Sequence, residues 1–207
     1  MDSKICGVKD ICTLSYILNH KFPPKFIGFI TNYPKSKRNL DIQTLRALTK
    51  KKRANINYVS VLVRPDDKIL EKIKYLNFKY YQLYDVNPNR AYFIKKKYRK
   101  KIISVITVKK TSDVKKYKLY LKIADIILFD GKGYEKSIGF NHNYLKGVPR
   151  SFKSMLAGNI KFNDNLDKFS KITDIIDISG SLETSGKKDR SKIDIFLKNI
   201  NKIRKWK

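Results

Sequence analysis

The chain has 207 residues and carries 47 Lys and Arg against 18 Asp and Glu, a formal net charge of +29. This length suits a single domain, 1–207, with a core of its own, and 42% hydrophobic with 12% aromatic content excludes an intrinsically disordered chain. No apolar run approaches the roughly 20 residues that cross a bilayer. Lys4, Lys9 and Asp10 interrupt any signal-peptide core. The two cysteines, Cys6 and Cys12, make neither a disulfide framework nor a metal-ligand spacing. A reducing cytoplasm, with no membrane and no metal, is the expected setting, and Cys12 is expected to be a packing residue on the first helix.

A charge this basic raises the question of nucleic acid. Of the 47 basic residues, however, 38 are Lys and nine are Arg, and they are scattered along the whole chain. Arg is the residue favoured for forked contacts to bases and phosphates. Lysine runs such as 50–53 and 95–101 read as polar helix ends or loops. No RNA- or DNA-binding motif accompanies them, so a non-enzymatic nucleic-acid-binding protein is the disfavoured reading and no nucleic-acid partner is expected. A positive field that steers a small anionic substrate inward fits better.

In chain order, short β-branched or aromatic runs alternate with amphipathic segments. The strand candidates are Ser3–Cys6, Lys25–Ile30, Asn57–Val63, Lys79–Leu83, Lys101–Thr107, Ala124–Phe129, Lys153–Ala157 and Asp174–Ser179. They recur every roughly 21 to 32 residues, the length of a strand–loop–helix unit. Helical spacing appears in Ile11-Leu14-Ile17-Leu18, in Ile69-Ile73-Leu76 and in Ile193-Phe196-Leu197-Ile200. Helix starts are marked at Asp41, Pro65-Asp66 and Thr111-Ser112-Asp113. Eight such units without an antiparallel hairpin signal predict an α/β fold, a (β/α)8 TIM barrel of eight parallel strands with outer helices. Eight parallel strands in so short a chain are better closed than open.

In such a barrel the catalytic groups sit at the C-terminal strand ends. The first strand delivers Cys6 there and the sixth delivers Asp130. A thiol and a carboxyl sharing one mouth suggest an isomerase working with one base and one acid. Alternation puts Lys4 and Cys6 on one face of their strand, and likewise Ile126, Leu128 and Asp130 on one face of theirs. If Cys6 faces the interior, Lys4 lies one layer beneath it.

Ordered segments then carry a family resemblance from end to end: Lys4-Ile5-Cys6-Gly7, Ile27-Gly28-Phe29, Pro34 to Arg38, Val59 to Val63 and Tyr81-Gln82-Leu83. They continue through Ile127 to Asp130, Leu156-Ala157-Gly158, Asp177-Ile178-Ser179, and Glu183 with Gly186-Lys187-Lys188-Asp189. In these the chain resembles the phosphoribosylanthranilate isomerases of tryptophan biosynthesis.

The resemblance implies a cofactor-free Amadori rearrangement of N-(5-phosphoribosyl)anthranilate, an anionic small molecule, by a monomer or homodimer. It makes Cys6 the base and Asp130 the acid. Lys4 is the candidate cation favouring the thiolate, and a shut, partly apolar mouth would raise the Asp130 pKa. Arg38 corresponds to an arginine that contacts bound substrate, Asp177 to an aspartate near the sugar hydroxyls, and Tyr84 joins them as a substrate-binding residue. Gly158, Asn159, Ser179, Gly180 and Ser181 are the phosphate candidates, in the seventh and eighth loops.

Several positions depart from the family pattern. The fourth strand ends Gln82-Leu83-Tyr84-Asp85 where Gln-Leu-His-Gly is usual, and the sixth loop, Tyr134 to His142, has lost most of its glycines. Asn159 stands for a second Gly and tolerates the same left-handed backbone. The eighth strand ends Ser179-Gly180-Ser181 instead of Ser-Ser-Gly. The alternative reading is therefore a related phosphate-binding barrel enzyme acting on another ribose- or indole-linked phosphate.

Overall fold

Side chains alternate along the strands, and this builds two separate cores. The computed structural model describes residues 1–131 and 138–205. Its strands are β1 (Asp2–Cys6), β2 (Phe26–Ile30), β3 (Asn57–Val63), β4 (Tyr80–Tyr84), β5 (Lys101–Thr107), β6 (Ile126–Asp130), β7 (Ser154–Leu156) and β8 (Ile175–Ile178). They pair in sequence order, all parallel, and β8 closes on β1. The TIM barrel expected from the sequence is present, with strand ends within about two residues of expectation, the usual scatter of such boundaries.

Inside the barrel, Phe26, Val59, Val61, Tyr80, Ile103, Val105, Leu128, Met155 and Ile175 form one apolar cluster that reaches Cys6 at the top. The alternate residues, such as Ile5, Phe29, Leu62, Tyr81, Ile106 and Phe129, point outward into a second cluster shared with the helices. Lys4 and Gln82 are the fully buried polar side chains on the inward-facing registers of β1 and β4. Among the described residues no helix is long and apolar enough to cross a membrane.

Four helices follow the first four strands: α1 (Ile11–Asn19), α2 (Ile42–Lys50), α3 (Asp67–Ile73) and α4 (Pro88–Tyr98). Each begins where a side-chain oxygen takes a free backbone N–H: Asp10 caps Thr13, Asp41 caps Thr44, Asp66 caps Ile69 and Asn87 caps Arg90. Pro88 at the first turn of α4 loses no hydrogen bond there. Leu76 falls beyond the end of α3, contrary to the periodicity. Cys12 is exposed, which corrects its expected packing role. The buried stripe of α1 is Thr13, Leu14, Ile17 and Leu18, and Cys12 lies off it.

The outer layer thins after β5. A short helix, α5 (Thr111–Val114), runs into a 3-10 turn over Lys115–Tyr120, β6 is followed by a 3-10 turn at His142–Leu145, and β7 by a four-residue helix, α6 (Asp167–Ser170). In the β7 loop the side chains compete with helix for the backbone: Asp164 accepts from Lys161 N–H at 3.0 Å and Asn165 from Asp167 N–H at 3.2 Å.

An antiparallel hairpin is also present, contrary to the sequence reading: β9 (Glu183–Thr184) pairs β10 (Lys187–Lys188). Ser185 and Gly186 join them, both at positive φ (50° and 75°). That is the two-residue hairpin turn whose twist matches its strands, and Ser-Gly was its signal. The chain ends in α7 (Arg190–Lys205), which packs Ile193, Phe196, Leu197 and Ile200 against the barrel.

Gly28 on β2 pairs Cys6 in register, and an added Cβ would come within 2.9 Å of Cys6 Sγ and 3.0 Å of Lys4 Nζ. The absent side chain leaves that space to Lys4 and Cys6. Gly28→Ala is expected to destabilise the fold by about 1–3 kcal/mol, the usual cost of overpacking. Urea unfolding of the two proteins checks this, and equal midpoints would show that the interior yields at no cost.

Candidate active site

Lys4 is the lowest charged group of the site, and it points inward from β1. Its ammonium meets Asp177 Oδ2 on β8 at 2.7 Å, with side-chain exposures of 0% and 5%. Burial pulls the lysine down, but Asp177 and then Cys6 outweigh it and hold Lys4 above its ordinary value. Above this pair lies the Cys6 thiol. Burial pushes the thiol up, and the Lys4 charge offsets part of that rise. The sequence reading placed Lys4 correctly as the nearby cation, yet desolvation is the larger influence on the thiol.

Asp130, the last residue of β6, is held at both oxygens. Oδ1 accepts from Gly131 N–H at 2.8 Å and Oδ2 accepts from the Tyr84 hydroxyl at 2.7 Å. Burial raises its carboxyl to about 6, against the Tyr84 hydrogen bond and with help from Asp177. The pocket therefore does to Asp130 what its sequence position predicted.

At the rim, Arg38 gives Nε and Nη2 to the two oxygens of Glu183, at 2.6 and 2.7 Å, which leaves Nη1 outside that pair. The arginine crosses Gly7 (φ 74°), where an added Cβ would collide with the Arg38 stem. Glu183 also takes Lys188 Nζ at 2.8 Å, and the same ammonium donates to Ser179 O at 3.0 Å. Lys188 is only 2% exposed. Burial pulls it below its usual value, although Glu183 opposes the shift. The hairpin thus clamps Arg38 and the end of β8 together.

The seventh loop turns through Gly158 (φ 97°) and Asn159 (φ 55°). Asn159 does adopt the left-handed backbone expected of it. His142 Nε2 lies 3.0 Å from Gly158 O and braces this turn. Tyr134 to Ser137 of the altered sixth loop lie outside the described residues.

One cavity of about 360 Å³ lies at the centre of these groups. Its wall includes Cys6 and Arg38 from the first two units and Tyr84, Asp130 and Asp177 from the ends of three further strands. Gly158 and Asn159 close one side, and Ser179, Gly180 and Ser181 close the next. Two polar atoms here are buried without a hydrogen-bond partner among the described residues, Asp177 Oδ1 and Ser181 Oγ. Orphaned buried atoms are unfavourable unless something else satisfies them. Among the described residues no cluster of three or more His, Cys, Asp or Glu is arranged to hold a metal ion.

Residues 3–199 match the family described as N-(5'phosphoribosyl)anthranilate (PRA) isomerase. The chain belongs to that family.

A relative from Clostridium acetobutylicum, named N-(5'-phosphoribosyl)anthranilate isomerase, is 30% identical over 214 residues, covering 97% of this chain and 98% of its own. The phosphoribosyl anthranilate isomerase structure from Thermotoga maritima superposes with a TM-score of 0.86 at 23% identity, over 98% of this chain and 99% of that one. A phosphoribosyl anthranilate isomerase in complex with reduced 1-(o-carboxyphenylamino)-1-deoxyribulose 5-phosphate superposes at 0.84 and 22% identity, with the same coverage. At these identities the two structures establish the barrel, and the family match establishes an isomerase.

All ten residues expected from the sequence to form the site line this one cavity. The reading missed the roles of Glu183 and Lys188, whose segment it had matched to the family pattern, and the buried Gln82. The matched segment did not show which of its lysines is buried; the hairpin buries Lys188.

The raised Asp130 value has a stability consequence. An unfolded Asp titrates near 3.9, so between about pH 4 and pH 6 the folded state binds the extra proton and stability falls as pH rises. Asp130→Asn is expected to be more stable by about 1–3 kcal/mol at about pH 7.5, with that gain vanishing toward pH 4. Urea unfolding at the two pH values measures it, and an equal gain at both would mean that burial of the charge is not its origin.

Proposed function

We propose that this chain converts N-(5-phosphoribosyl)anthranilate to 1-(2-carboxyphenylamino)-1-deoxyribulose 5-phosphate, as a cytoplasmic enzyme of tryptophan biosynthesis. The reaction is an Amadori rearrangement that uses Asp130 as acid and Cys6 as base and requires no metal or organic cofactor. The observation that carries the reading is the pair itself: a buried carboxyl raised toward neutrality and a thiol beside an ammonium, on the wall of one cavity in a member of this isomerase family.

Asp130 gives its proton to the ribose ring oxygen. The C1′–O bond breaks toward that oxygen, and the nitrogen lone pair forms the C1′=N bond of a protonated Schiff base. The Cys6 thiolate then removes the C2′ proton. The released electron pair makes the C1′=C2′ bond, and the C=N pair returns to nitrogen. Transfer of a proton from the C2′ hydroxyl to C1′ completes the ketone. Lys4 stabilises the thiolate against its own burial, and an Asp130 value of about 6 leaves a useful acid near neutral pH.

The unpartnered atoms suit the same substrate. Asp177 Oδ1 is a free acceptor for a sugar hydroxyl, and Ser181 Oγ a free donor for phosphate beside Gly158, Asn159, Ser179 and Gly180. Arg38, with Nη1 outside the Glu183 pair, suits the anthranilate carboxylate. Tyr84 contributes to the wall on the Asp130 side.

Decay of anthranilate fluorescence with freshly generated phosphoribosylanthranilate tests the reading. The intact protein should accelerate conversion, and Cys6→Ser and Asp130→Asn should each lower turnover by at least about 100-fold. Full activity in either variant removes that residue from the mechanism. A folded but inactive intact protein that also fails to support a tryptophan auxotroph lacking this step would point to another ribose- or indole-linked phosphate as substrate.

A further inference from the structure

The Asp130 carboxyl is governed by a second strand as well as its own. Tyr84 on β4 donates its hydroxyl to Asp130 Oδ2 at 2.7 Å. Two residues earlier on the same face, Gln82 is fully buried inside the barrel, and its Nε2 lies 3.3 Å from the Tyr84 oxygen. The other amide atom, Gln82 Oε1, is buried with no hydrogen-bond partner among the described residues. Leaving an acceptor unsatisfied in the interior is unfavourable and calls for a reason. The opposite amide orientation would turn Oε1 toward the phenol. Oε1 and Asp130 Oδ2 would then compete for a single phenolic hydrogen. With the amine facing the phenol, the phenol oxygen is already an acceptor and its hydrogen is aimed at Asp130.

We propose that Tyr84 is a positioning residue for Asp130 and that Gln82 orients Tyr84. The chain Gln82 Nε2–H to Tyr84 O–H to Asp130 Oδ2 keeps Oδ2 an acceptor and places the transferable proton on Oδ1, whose remaining lone pair takes the Gly131 N–H at 2.8 Å. This rests on the acid role of Asp130 proposed above. When Oδ1 releases its proton to the substrate, the electron pair of that bond stays on the carboxylate. The Tyr84 hydrogen bond then becomes charge-assisted and strengthens as the charge develops. Tyr84 itself neither gains nor loses a proton, because burial, with Asp130 and Asp177 adding to it, holds the phenol well above its usual value. Among the described residues, the other charged groups acting on Asp130 are Asp177 on β8, which pushes its carboxyl up, and Lys4 on β1, which pulls it down. Cys6 on β1 shares the same cavity. Among the described residues, Tyr84 is the one hydrogen-bond donor to Oδ2.

The test is a carbon-13 NMR titration of the aspartate carboxyls, with the Asp130 signal identified by its loss in Asp130→Asn, alongside steady-state kinetics. In Tyr84→Phe, Asp130 should titrate about one pH unit higher than in the unaltered chain. Gln82→Met should move it in the same direction by less. In both, kcat should fall while KM stays within about twofold, and the basic limb of the kcat profile should follow the titration. An unchanged Asp130 titration in folded Tyr84→Phe overturns the proposal. So does a raised KM with kcat and titration unchanged, which would make Tyr84 a substrate contact. If Tyr84→Phe does not fold, Gln82→Met decides alone, by the same unchanged titration. The titration needs no substrate, so an inactive intact protein would refute the proposed reaction while the carboxyl shift still judged the hydrogen-bond chain.

Discussion

The ion pair between Lys4 and Asp177 is the constraint on which the site rests. Both groups lie inside the barrel one layer below the mouth, where a lone charge would be costly and a close pair is tolerable. Its two ends act differently on the layer above. The ammonium favours ionisation of Cys6, while the carboxylate resists ionisation of Asp130. One pair thus pushes a thiol and a carboxyl in opposite directions, the separation that the proposed acid–base chemistry needs. Gly28 makes room for the arrangement by leaving its register position empty beside Lys4 and Cys6.

A second charge cluster organises the rim. Glu183 sits between Arg38 and Lys188, so a single carboxylate offsets two cations and the cluster stays positive. Because Lys188 also donates to Ser179 O, the hairpin ties the arginine to the end of β8. The rest of the +29 charge is spread over the surface, where water screens it within about 8–10 Å. Its contribution is a general attraction for anions; discrimination among them falls to the few cations held in fixed geometry.

Much of the molecule was readable before folding. Strand runs such as Asn57–Val63 and Lys101–Thr107 declare themselves by β-branched and aromatic content, and the structure keeps both ranges unchanged. The placement of Cys6 and Asp130 on one cavity wall was readable because both end strands of the barrel. The outer layer was less legible. Alternating inside and outside faces can be read along a strand, but whether a loop completes a helix depends on side chains such as Asp164 and Asn165, which bond the backbone locally. The hairpin was missed because two-residue strands leave no periodicity, only the turn. Cys12 was misjudged because a free cysteine is usually buried, whereas the stripe of α1 passes beside it.

What the sequence by itself determined is the order of eight strand units, the parallel closed sheet and the identity of the groups delivered to its C-terminal end. Those follow from local pattern, which is a property of neighbours along the chain. Only the tertiary structure decided which charges meet. Lys4 with Asp177 and Asp130 with Tyr84 join residues far apart in the chain, and Lys188 among many lysines is buried and paired with Glu183 because a hairpin closes over it. Pairing energies and desolvation depend on distance and surroundings in space, and neither is written in the spacing of residues.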